Sequence, residues 1–453
     1  MKINRLTIAI LPIIVFFSAF SFAQQPNPLI KQLVEDVSAK KIEEYNRKLV
    51  SFGTRNTLSS QTDPKRGIGA AANWIFDEFS KISADCGGCL EVERQSFIQE
   101  KGRRIPEPIK ITNLVATLRG TTDPDRIYVV SGHYDSMCSS STDGDCDAPG
   151  ANDDGSGTAA VIEMARVMSK KKFEATIVFM TVAGEEQGLL GARHFAAEAV
   201  KNKLNIDAMF TNDIIGGVKT MKDMPDRNSV RVFAEGVPSN ETEQQANLRR
   251  SIGGENDSAT RQLGRFIYET ALAYSPGFGV QLIYRRDRYL RGGDHIPFLE
   301  NGFPAVRFTE PHEDYEHQHQ NVRTEDGIFY GDTPDYLDYG YIANVTKINV
   351  AALASLAIAP ARPKNVGFDL SRLTNDTDIT WDQNTESDLA GYEVVWRRTT
   401  EPFWTDSKFV ENVTKYTMVK MSKDNYFFGV RAVDKDGNKS PVVFPGPVFG
   451  NRG

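Results

Sequence analysis

Histidine and carboxylate side chains collect at the ends of three predicted β-strands in this 453-residue chain. The three strands are predicted at residues 127–131, 177–181 and 208–211, and each leads directly into such side chains. The segments that follow are Gly132-His133-Tyr134-Asp135, Ala183-Gly184-Glu185-Glu186 and Asn212-Asp213-Ile214. Imidazole and carboxylate ligands without thiolate suit Zn²⁺ or a similar divalent ion. The sequence therefore predicts a metal centre in which one of two adjacent carboxylates binds metal and the other acts as a base on metal-bound water.

Two further segments could complete this centre. A glycine-rich acidic turn at residues 150–157 opens a predicted helix between the first two strands. The six histidines are His133, His194, His295, His312, His317 and His319. Three of them lie within residues 310–320, where a loop can bring a second imidazole to the site. We interpret His194 as a surface or packing residue and His295 as a residue with a supporting structural role.

Strand-type and helix-type segments alternate along most of the chain, which predicts βαβ units and an α/β fold with a mostly parallel sheet. The carboxyl ends of parallel strands share one edge, so the residues above can meet there. Predicted strands span 109–118, 126–131, 176–181, 207–212, 230–234, 280–283 and 304–308, with helices at 158–169, 189–201 and 259–274. Residues 28–52 are predicted to form one amphipathic helix and residues 68–82 another.

The pattern changes near residues 359–364, a proline-containing stretch that we interpret as a linker. Short alternating segments with regular turns follow over residues 365–450, which predicts a small all-β sandwich. Its aromatic residues Trp381, Tyr392 and Trp396 resemble those of a fibronectin type III module. We interpret them as core residues, because the module shows no cluster of acids, histidines or cysteines.

Charge and hydropathy exclude several classes of protein. The chain has 53 Lys and Arg against 60 Asp and Glu, a net charge of −7 that argues against nucleic acid as a partner. Residues 1–23 combine a basic start, an apolar stretch and small residues, which predicts a cleaved signal peptide and a secreted, periplasmic or extracellular protein. A membrane anchor is the alternative, but the apolar stretch is short for a span of about 20 residues. No other stretch predicts a membrane span.

The four cysteines are Cys86, Cys89, Cys138 and Cys146. An even number in an exported chain favours disulfides, most simply Cys86–Cys89 and Cys138–Cys146, each of which closes a short loop. A zinc site at the first pair is the alternative, but it would need a matching second pair that the sequence does not offer.

Five motifs in order resemble the aminopeptidase Y family of co-catalytic di-zinc metallopeptidases. They are His133-Tyr-Asp135, Gly150-Ala-Asn-Asp-Asp-Gly-Ser-Gly157, Gly184-Glu-Glu-Gln-Gly188, Asn212-Asp-Ile-Ile-Gly216 and Gly293-Asp-His-Ile-Pro-Phe298. The resemblance covers roughly residues 45–358. It implies a three-layer α/β/α zinc-exopeptidase fold of the phosphorylase/hydrolase type for a catalytic domain at residues 24–358, followed by the fibronectin type III-like sandwich.

The resemblance also implies two Zn²⁺ ions per chain and a ligand for each position. His133 and Asp213 would bind one ion, Glu186 the other, and Asp153 would bridge them. The peptide bond between Asp153 and Asp154 is expected to be cis. For the last ligand we select His319, because residues 318–323 resemble the better preserved part of the family's motif. His317 is the alternative on spacing, because relatives carry an acid four residues after this histidine and Asn321 stands at that distance from His317.

Two catalytic roles follow from the same resemblance. Glu185 would be the general base and then the proton donor to the leaving amine. Asp135 would orient His133. The tyrosine that can stabilise an oxyanion is displaced in this sequence, and either Tyr315 or Tyr289 could replace it.

These features together predict a secreted zinc aminopeptidase that acts on peptide or protein N-termini. The alternatives are glutaminyl cyclase-like or carboxypeptidase-type activity on the same fold. A non-catalytic binding or adhesion protein is the alternative from another class. The sequence leaves the preferred N-terminal residue open, and we expect a monomer without a nucleic-acid partner.

Overall fold

The computed structural model describes residues 26–220, 223–224 and 226–448. The predicted signal peptide lies outside these residues. The helices are α1 Pro28–Glu35, α2 Ala39–Val50, α3 Ile68–Asp85, α4 Gly155–Met168, α5 Leu190–Lys201, α6 Glu243–Ile252, α7 Ala259–Tyr274, α8 His295–Glu300 and α9 Tyr339–Ile358. The strands of the first part of the chain are β1 Leu90–Gln99, β2 Ile109–Leu118, β3 Asp123–His133, β4 Ala175–Val182, β5 Asn205–Asn212, β6 Ser229–Phe233, β7 Gly279–Ile283, β8 Ala305–Thr309, β9 Arg323–Glu325 and β10 Ile328–Tyr330.

An eight-stranded sheet with the order β1-β2-β4-β3-β5-β8-β6-β7 forms the centre of the molecule. Its central strands β4, β3, β5 and β8 are parallel, whereas β1, β2 and the β6–β8 pairing add antiparallel contacts. The parallel arrangement brings the carboxyl ends of β3, β4 and β5 to one edge, as the sequence predicts.

Side chains of the central strands alternate between two apolar cores. In β3, Tyr128 and Val130 pack with residues of α1–α4, α7 and α9, whereas Val129 packs on the other face with α5 and α8. Helices therefore cover both faces of the sheet. The predicted three-layer α/β/α architecture is confirmed.

The amino-terminal segment differs from its prediction. The single helix expected at residues 28–52 is wrong, because two helices, α1 and α2, occupy this stretch. Ser38 lies between them in an extended conformation, and its hydroxyl accepts a hydrogen bond from the Lys41 backbone N–H. This cap begins a new helix, and a change of direction lets both apolar faces reach the same core.

Six elements of the first part of the chain extend the predicted set, namely β1, β9, β10, α6, α8 and α9. β1 forms a ten-residue antiparallel ladder with β2 at the sheet edge. Within the part of the chain that the structure describes, α9 is the helix that is long and apolar enough to cross a membrane, and most of it is buried inside the protein. A core helix packed on all sides explains this composition.

The carboxyl-terminal part forms two small sheets around a separate core. Its strands are β11 Gly367–Asp369, β12 Thr377–Thr380, β13 Leu389–Arg398, β14 Asp406–Val410, β15 Lys415–Met418, β16 Tyr426–Asp434 and β17 Gly446–Val448. The sheet orders are β15-β12-β11-β17 and β14-β13-β16. Trp381 and Tyr392 are buried in the core between them, with ring centroids 5.2 Å apart. The aromatic residues therefore serve packing.

Both cysteine pairs form disulfides. Cys86 is bonded to Cys89 directly after α3, and Cys138 is bonded to Cys146 in the loop that follows β3.

Candidate active site

The strand ends assemble a cluster of ionisable side chains at one edge of the sheet. β3 ends at His133, β4 leads into Glu185 and Glu186, and β5 leads into Asp213. β4 and β5 both flank β3, so all three chain ends are neighbours. This adjacency is the physical basis of the site.

The first group consists of His133, Glu185 and Asp213, whose potential ligand atoms lie within 4.8 Å of one another. His133 Nε2 is 3.8 Å from Asp213 Oδ1. One imidazole and two carboxylates form the kind of set that binds zinc.

The second group consists of Asp153, Glu186 and His319 within the same distance limit. His319 Nε2 is 2.8 Å from Asp153 Oδ2 and 3.2 Å from Glu186 Oε1. The other oxygen of Asp153, Oδ1, is 3.1 Å from His133 Nε2. The two oxygens of Asp153 thus face one imidazole of each group, which is the position of a bridging carboxylate.

Unpartnered polar atoms test whether these residues suit metal ions. His133 Nε2, Glu186 Oε1 and His319 Nε2 are buried and form no hydrogen bond of good geometry within the described part of the chain, although ionisable atoms of the two groups lie 2.8–3.2 Å from them. Buried polar atoms are normally hydrogen-bonded, so three such atoms that converge on one space are suited to bind a cation. The donor set fits zinc in both groups.

Asp135 holds the turn that carries the two glutamates. Its carboxylate accepts hydrogen bonds from the backbone N–H groups of Glu185, at 3.3 Å, and Glu186, at 3.2 Å. It also accepts from the Thr57 hydroxyl at 3.1 Å. His133 Nδ1 lies 3.5 Å from the Asp135 carboxylate and 3.1 Å from its backbone carbonyl oxygen. Asp135 therefore positions both the imidazole and the glutamate turn.

Asp153 is supported by residues that the sequence analysis missed. Asp332 accepts hydrogen bonds from the backbone N–H groups of Asn152 and Asp153, each at 2.8 Å, and Gln318 Nε2 donates to Asp153 Oδ2 at 2.9 Å. The peptide bond between Asp153 and Asp154 is cis, as expected. Asp332 is a single acid with no motif around it, and no signal in the sequence marks its contact with residue 153.

Arg307 was also missed, although the sequence carries a signal for it. This fully buried arginine interrupts the apolar strand β8, and its Nη1 lies 3.0 Å from Asp213 Oδ2. A charged side chain in a buried strand needs a partner of opposite charge. Asking which carboxylate compensates it would have led to Asp213.

Burial and neighbouring charges shift the pKa values of Glu185 and Asp213 in opposite directions. Burial raises the pKa of Glu185 well above its ordinary value; His133 opposes the change, and the negative charge of Glu186 adds to it. Burial would also raise the pKa of Asp213, but the positive charge of Arg307 and the contact with His133 together outweigh burial, and the pKa is lowered. Glu185 is thus suited to exchange a proton, whereas Asp213 is suited to remain an ionised ligand.

His317, Tyr315 and Tyr289, the other residues considered for the site, lie outside the two ligand groups. His317 packs against Tyr336, with ring centroids 3.6 Å apart, and His319 occupies the place beside Asp153. Tyr315 lines the cavity above the cluster, whereas Tyr289 is exposed and bonded to Arg285.

His194 stacks on Phe97 with ring centroids 4.1 Å apart. His295 is buried, and its Nε2 lies 2.8 Å from the Arg286 carbonyl oxygen. Neither histidine belongs to the two groups of potential ligands, in agreement with a packing role for the first and a structural role for the second.

The cluster opens into a cavity of about 660 Å³. Asp153, Glu185, Glu186, Asp213 and His319 line it, together with Met137, Leu290 and Tyr315. The cavity is large enough for a small peptide segment and gives it access to the ligand groups.

Comparison with known proteins agrees with this arrangement. Residues 113–350 match peptidase family M28. A probable zinc metalloprotease of Leptosphaeria maculans is 47% identical over 422 residues, which cover 93% of this chain and 98% of that protein.

Two solved structures share the fold. LapB from Legionella pneumophila has a TM-score of 0.51 at 21% identity, covering 74% of this chain and 77% of that one. BSAP, a zinc aminopeptidase from Bacillus subtilis, has a TM-score of 0.50 at 15% identity, covering 70% and 94%. The family match and the extent of the identity establish that this chain belongs to peptidase family M28.

Proposed function

We propose that this member of family M28 is a zinc aminopeptidase with two metal ions. The observation that carries the proposal is the placement of Asp153 between two groups of ligands, with Glu185 in the first group. His133 and Asp213 would hold one ion, Glu186 and His319 the other, and Asp153 both. Zinc in such a site lowers the pKa of bound water to about 7 and polarises a substrate carbonyl.

Glu185 is the proposed proton carrier of the reaction. Its carboxylate takes a proton from the attacking water, whose oxygen forms a bond to the peptide carbonyl carbon. When the C–N bond breaks, the same carboxyl donates the proton to the leaving amine. The overall reaction consumes one water and releases a free amino acid and a shortened peptide.

A preference for N-termini is supported by the comparison with a solved structure. BSAP, which is called a zinc aminopeptidase, shares the fold.

The replacement Glu185→Gln tests the proton carrier. We expect zinc content to stay near two ions per chain, and kcat on the best aminoacyl amide to fall by about 10²–10⁴-fold, the usual contribution of a general base. Zinc is counted by atomic emission and turnover is measured on a panel of chromogenic aminoacyl amides with and without chelator. Glu91→Gln, at an exposed position of β1, is the matched control.

Three results would contradict the proposal. Full activity of the Glu185→Gln enzyme would remove the assigned base. One zinc per chain in an active enzyme would remove the bridging role of Asp153 and favour glutaminyl cyclase-like chemistry. Failure of the zinc-loaded protein to cleave any aminoacyl amide, with cleavage at peptide carboxyl ends instead, would establish carboxypeptidase action.

Export is the second part of the proposal. The signal peptide predicted at residues 1–23 and the two disulfides support an oxidising compartment outside the cytoplasm. The mature protein is then proposed to consist of a catalytic domain at residues 24–358, a linker at 359–364 and a fibronectin type III-like sandwich at 365–450. Amino-terminal sequencing of the exported protein tests cleavage after Ala23.

A further inference from the structure

Four arginines line the active-site cavity together with the carboxylates of the two ligand groups. They are Arg104, Arg193, Arg288 and Arg291. A free ammonium group alone would not require positive side chains in the cavity that receives it, so these arginines need their own explanation.

Arg104 is the least compensated of these arginines. It belongs to the exposed loop between β1 and β2, and its Nη1 donates a hydrogen bond to the backbone carbonyl oxygen of Glu186 at 2.7 Å. Among the residues that the structure describes, no carboxylate oxygen lies within 4.0 Å of its guanidinium. Arg104 thus brings an unneutralised positive charge to the edge of the metal-ligand turn.

Arg291 also lines the cavity, and it shares its acidic partner. Its Nη1 is 2.7 Å from Glu313 Oε2, and the same oxygen is 3.0 Å from Arg288 Nη1. Arg231 approaches the other oxygen of Glu313 at 3.3 Å. Arg288 has a second acidic partner in Asp287, at 3.1 Å, whereas Arg291 and Arg231 depend on Glu313 among the described residues, so the positive charge of Arg291 is only partly compensated.

Both positive positions lie close to the ligand groups. Arg104 reaches the site through the backbone of Glu186. Next to Arg291 in the chain, the carbonyl oxygen of Gly292 accepts hydrogen bonds from Arg288 and Arg307, at 3.0 and 2.7 Å, and Arg307 contacts Asp213. Arg193 Nη1 lies 2.8 Å from Glu300 Oε2, and Arg286 shares this carboxylate.

We propose that Arg104 and Arg291 bind a carboxylate of the substrate beyond its N-terminal residue. The inference rests on the proposed aminopeptidase function, in which the scissile bond of the N-terminal residue lies at the ligand groups and the rest of the peptide extends through the cavity. The carboxylate is either the acidic side chain of the following residue or the free carboxyl end of a short peptide. Guanidinium groups form strong charge-assisted hydrogen bonds with both.

Two pairs of peptides separate these sources. All begin with the residue that the aminoacyl amide panel ranks first. One pair ends in glycine with a free carboxylate or in glycine amide, and the other ends in glutamic acid α-amide or glutamine α-amide. We expect kcat/KM to be about tenfold higher for the carboxylate member of at least one pair, mainly through a lower KM, because charged hydrogen bonds contribute on this scale.

The ratio within each pair also tests the assigned arginines. Arg104→Gln and Arg291→Gln should each bring the preferred ratio toward one, and a ratio cancels any general loss of active enzyme. Arg103→Gln, in the same loop but outside the cavity lining, is the matched control and should keep the wild-type ratio.

The outcomes distinguish this inference from the proposed function. Ratios near one in both pairs, or a preference for the amides, would overturn the carboxylate site while leaving the aminopeptidase intact. A ratio that survives in both arginine variants would overturn their assignment. Absence of cleavage of every aminoacyl amide by the zinc-loaded protein would overturn the proposed function itself.

Discussion

Several side chains around Asp153 hold other residues of the site in position. Asp135 fixes the backbone of Glu185 and Glu186, and Asp332 fixes the backbone of Asp153. Such supporting contacts decide how closely a ligand set matches the geometry that a metal requires. Replacing a single residue of the site is therefore expected to change metal content as well as turnover.

His319→Gln tests the last ligand. The second group loses its imidazole, so we expect zinc content to fall from about two ions to about one per chain, with a fall in kcat of about 100-fold or more, the scale of losses known for metal-site residues. Zinc analysis after gel filtration and turnover on an aminoacyl amide measure both effects.

His317→Gln is the matched control two residues away. His317 packs on Tyr336, so its replacement should keep two zinc ions per chain, although it loses a ring contact. The reverse pattern, with zinc lost from the His317 variant only, would exchange the two assignments.

At the scale of elements, the glycine-rich turn at the start of α4 allows two segments to approach closely. Asp154 caps the helix through a hydrogen bond from the Gly157 N–H at 2.8 Å, and its other carboxylate oxygen accepts from the His133 N–H at 3.0 Å. A Cβ atom at residue 157 would overlap the carbonyl oxygen of Asn212 and approach the Asp154 carboxylate to 2.6 Å. Glycine at residue 157 therefore keeps α4 against the ends of β3 and β5.

Gly157→Ala should destabilise the catalytic domain. The added methyl group forces backbone to move, and overpacking of this kind costs about 1–3 kcal/mol or more. The expected result is a lower midpoint of denaturant unfolding together with weaker zinc binding, since β5 leads into Asp213. Gly102→Ala is the matched control, because a Cβ atom there has open space. Equal midpoints for the two variants would show that the close approach does not constrain the fold.

At the scale of the whole molecule, buried charges join the catalytic part to the carboxyl-terminal sandwich. Asp257 Oδ1 lies 2.9 Å from Arg265 Nη1, and its Oδ2 lies 2.7 Å from Arg397 Nη2 in β13. Tyr268 stacks on Phe403 across the same contact, with ring centroids 4.4 Å apart. All three charged side chains are almost completely buried.

Asp257→Asn should loosen this contact. The replacement leaves two buried guanidinium groups without their shared carboxylate, and breaking a buried ion pair typically costs about 3–5 kcal/mol. We expect a lower thermal midpoint and faster proteolysis near the proposed linker at residues 359–364, with Asp436→Asn at an exposed turn as control. An unchanged midpoint and unchanged proteolysis would mean that other contacts hold the sandwich in place.

The sequence by itself determined the alternation of strands and helices in the central sheet and predicted which residues lie at the ends of its strands. Alternating strand and helix patterns are local, so they predict a parallel sheet, and the residues that follow β3, β4 and β5 then fall at one edge. The division of residues 28–52 into two helices escaped prediction, because apolar periodicity continues across Ser38 while its capping bond does not alter that periodicity.

Tertiary structure alone decided the contacts between distant positions. Asp332 bonds to a backbone 179 residues away, and Arg307 reaches Asp213 across neighbouring strands. Likewise, only the structure shows that His319 lies beside Asp153 and that Arg104 and Arg291 line the same cavity. Side-chain periodicity records which residues are buried, whereas packing of the loops at the sheet edge determines which of them meet.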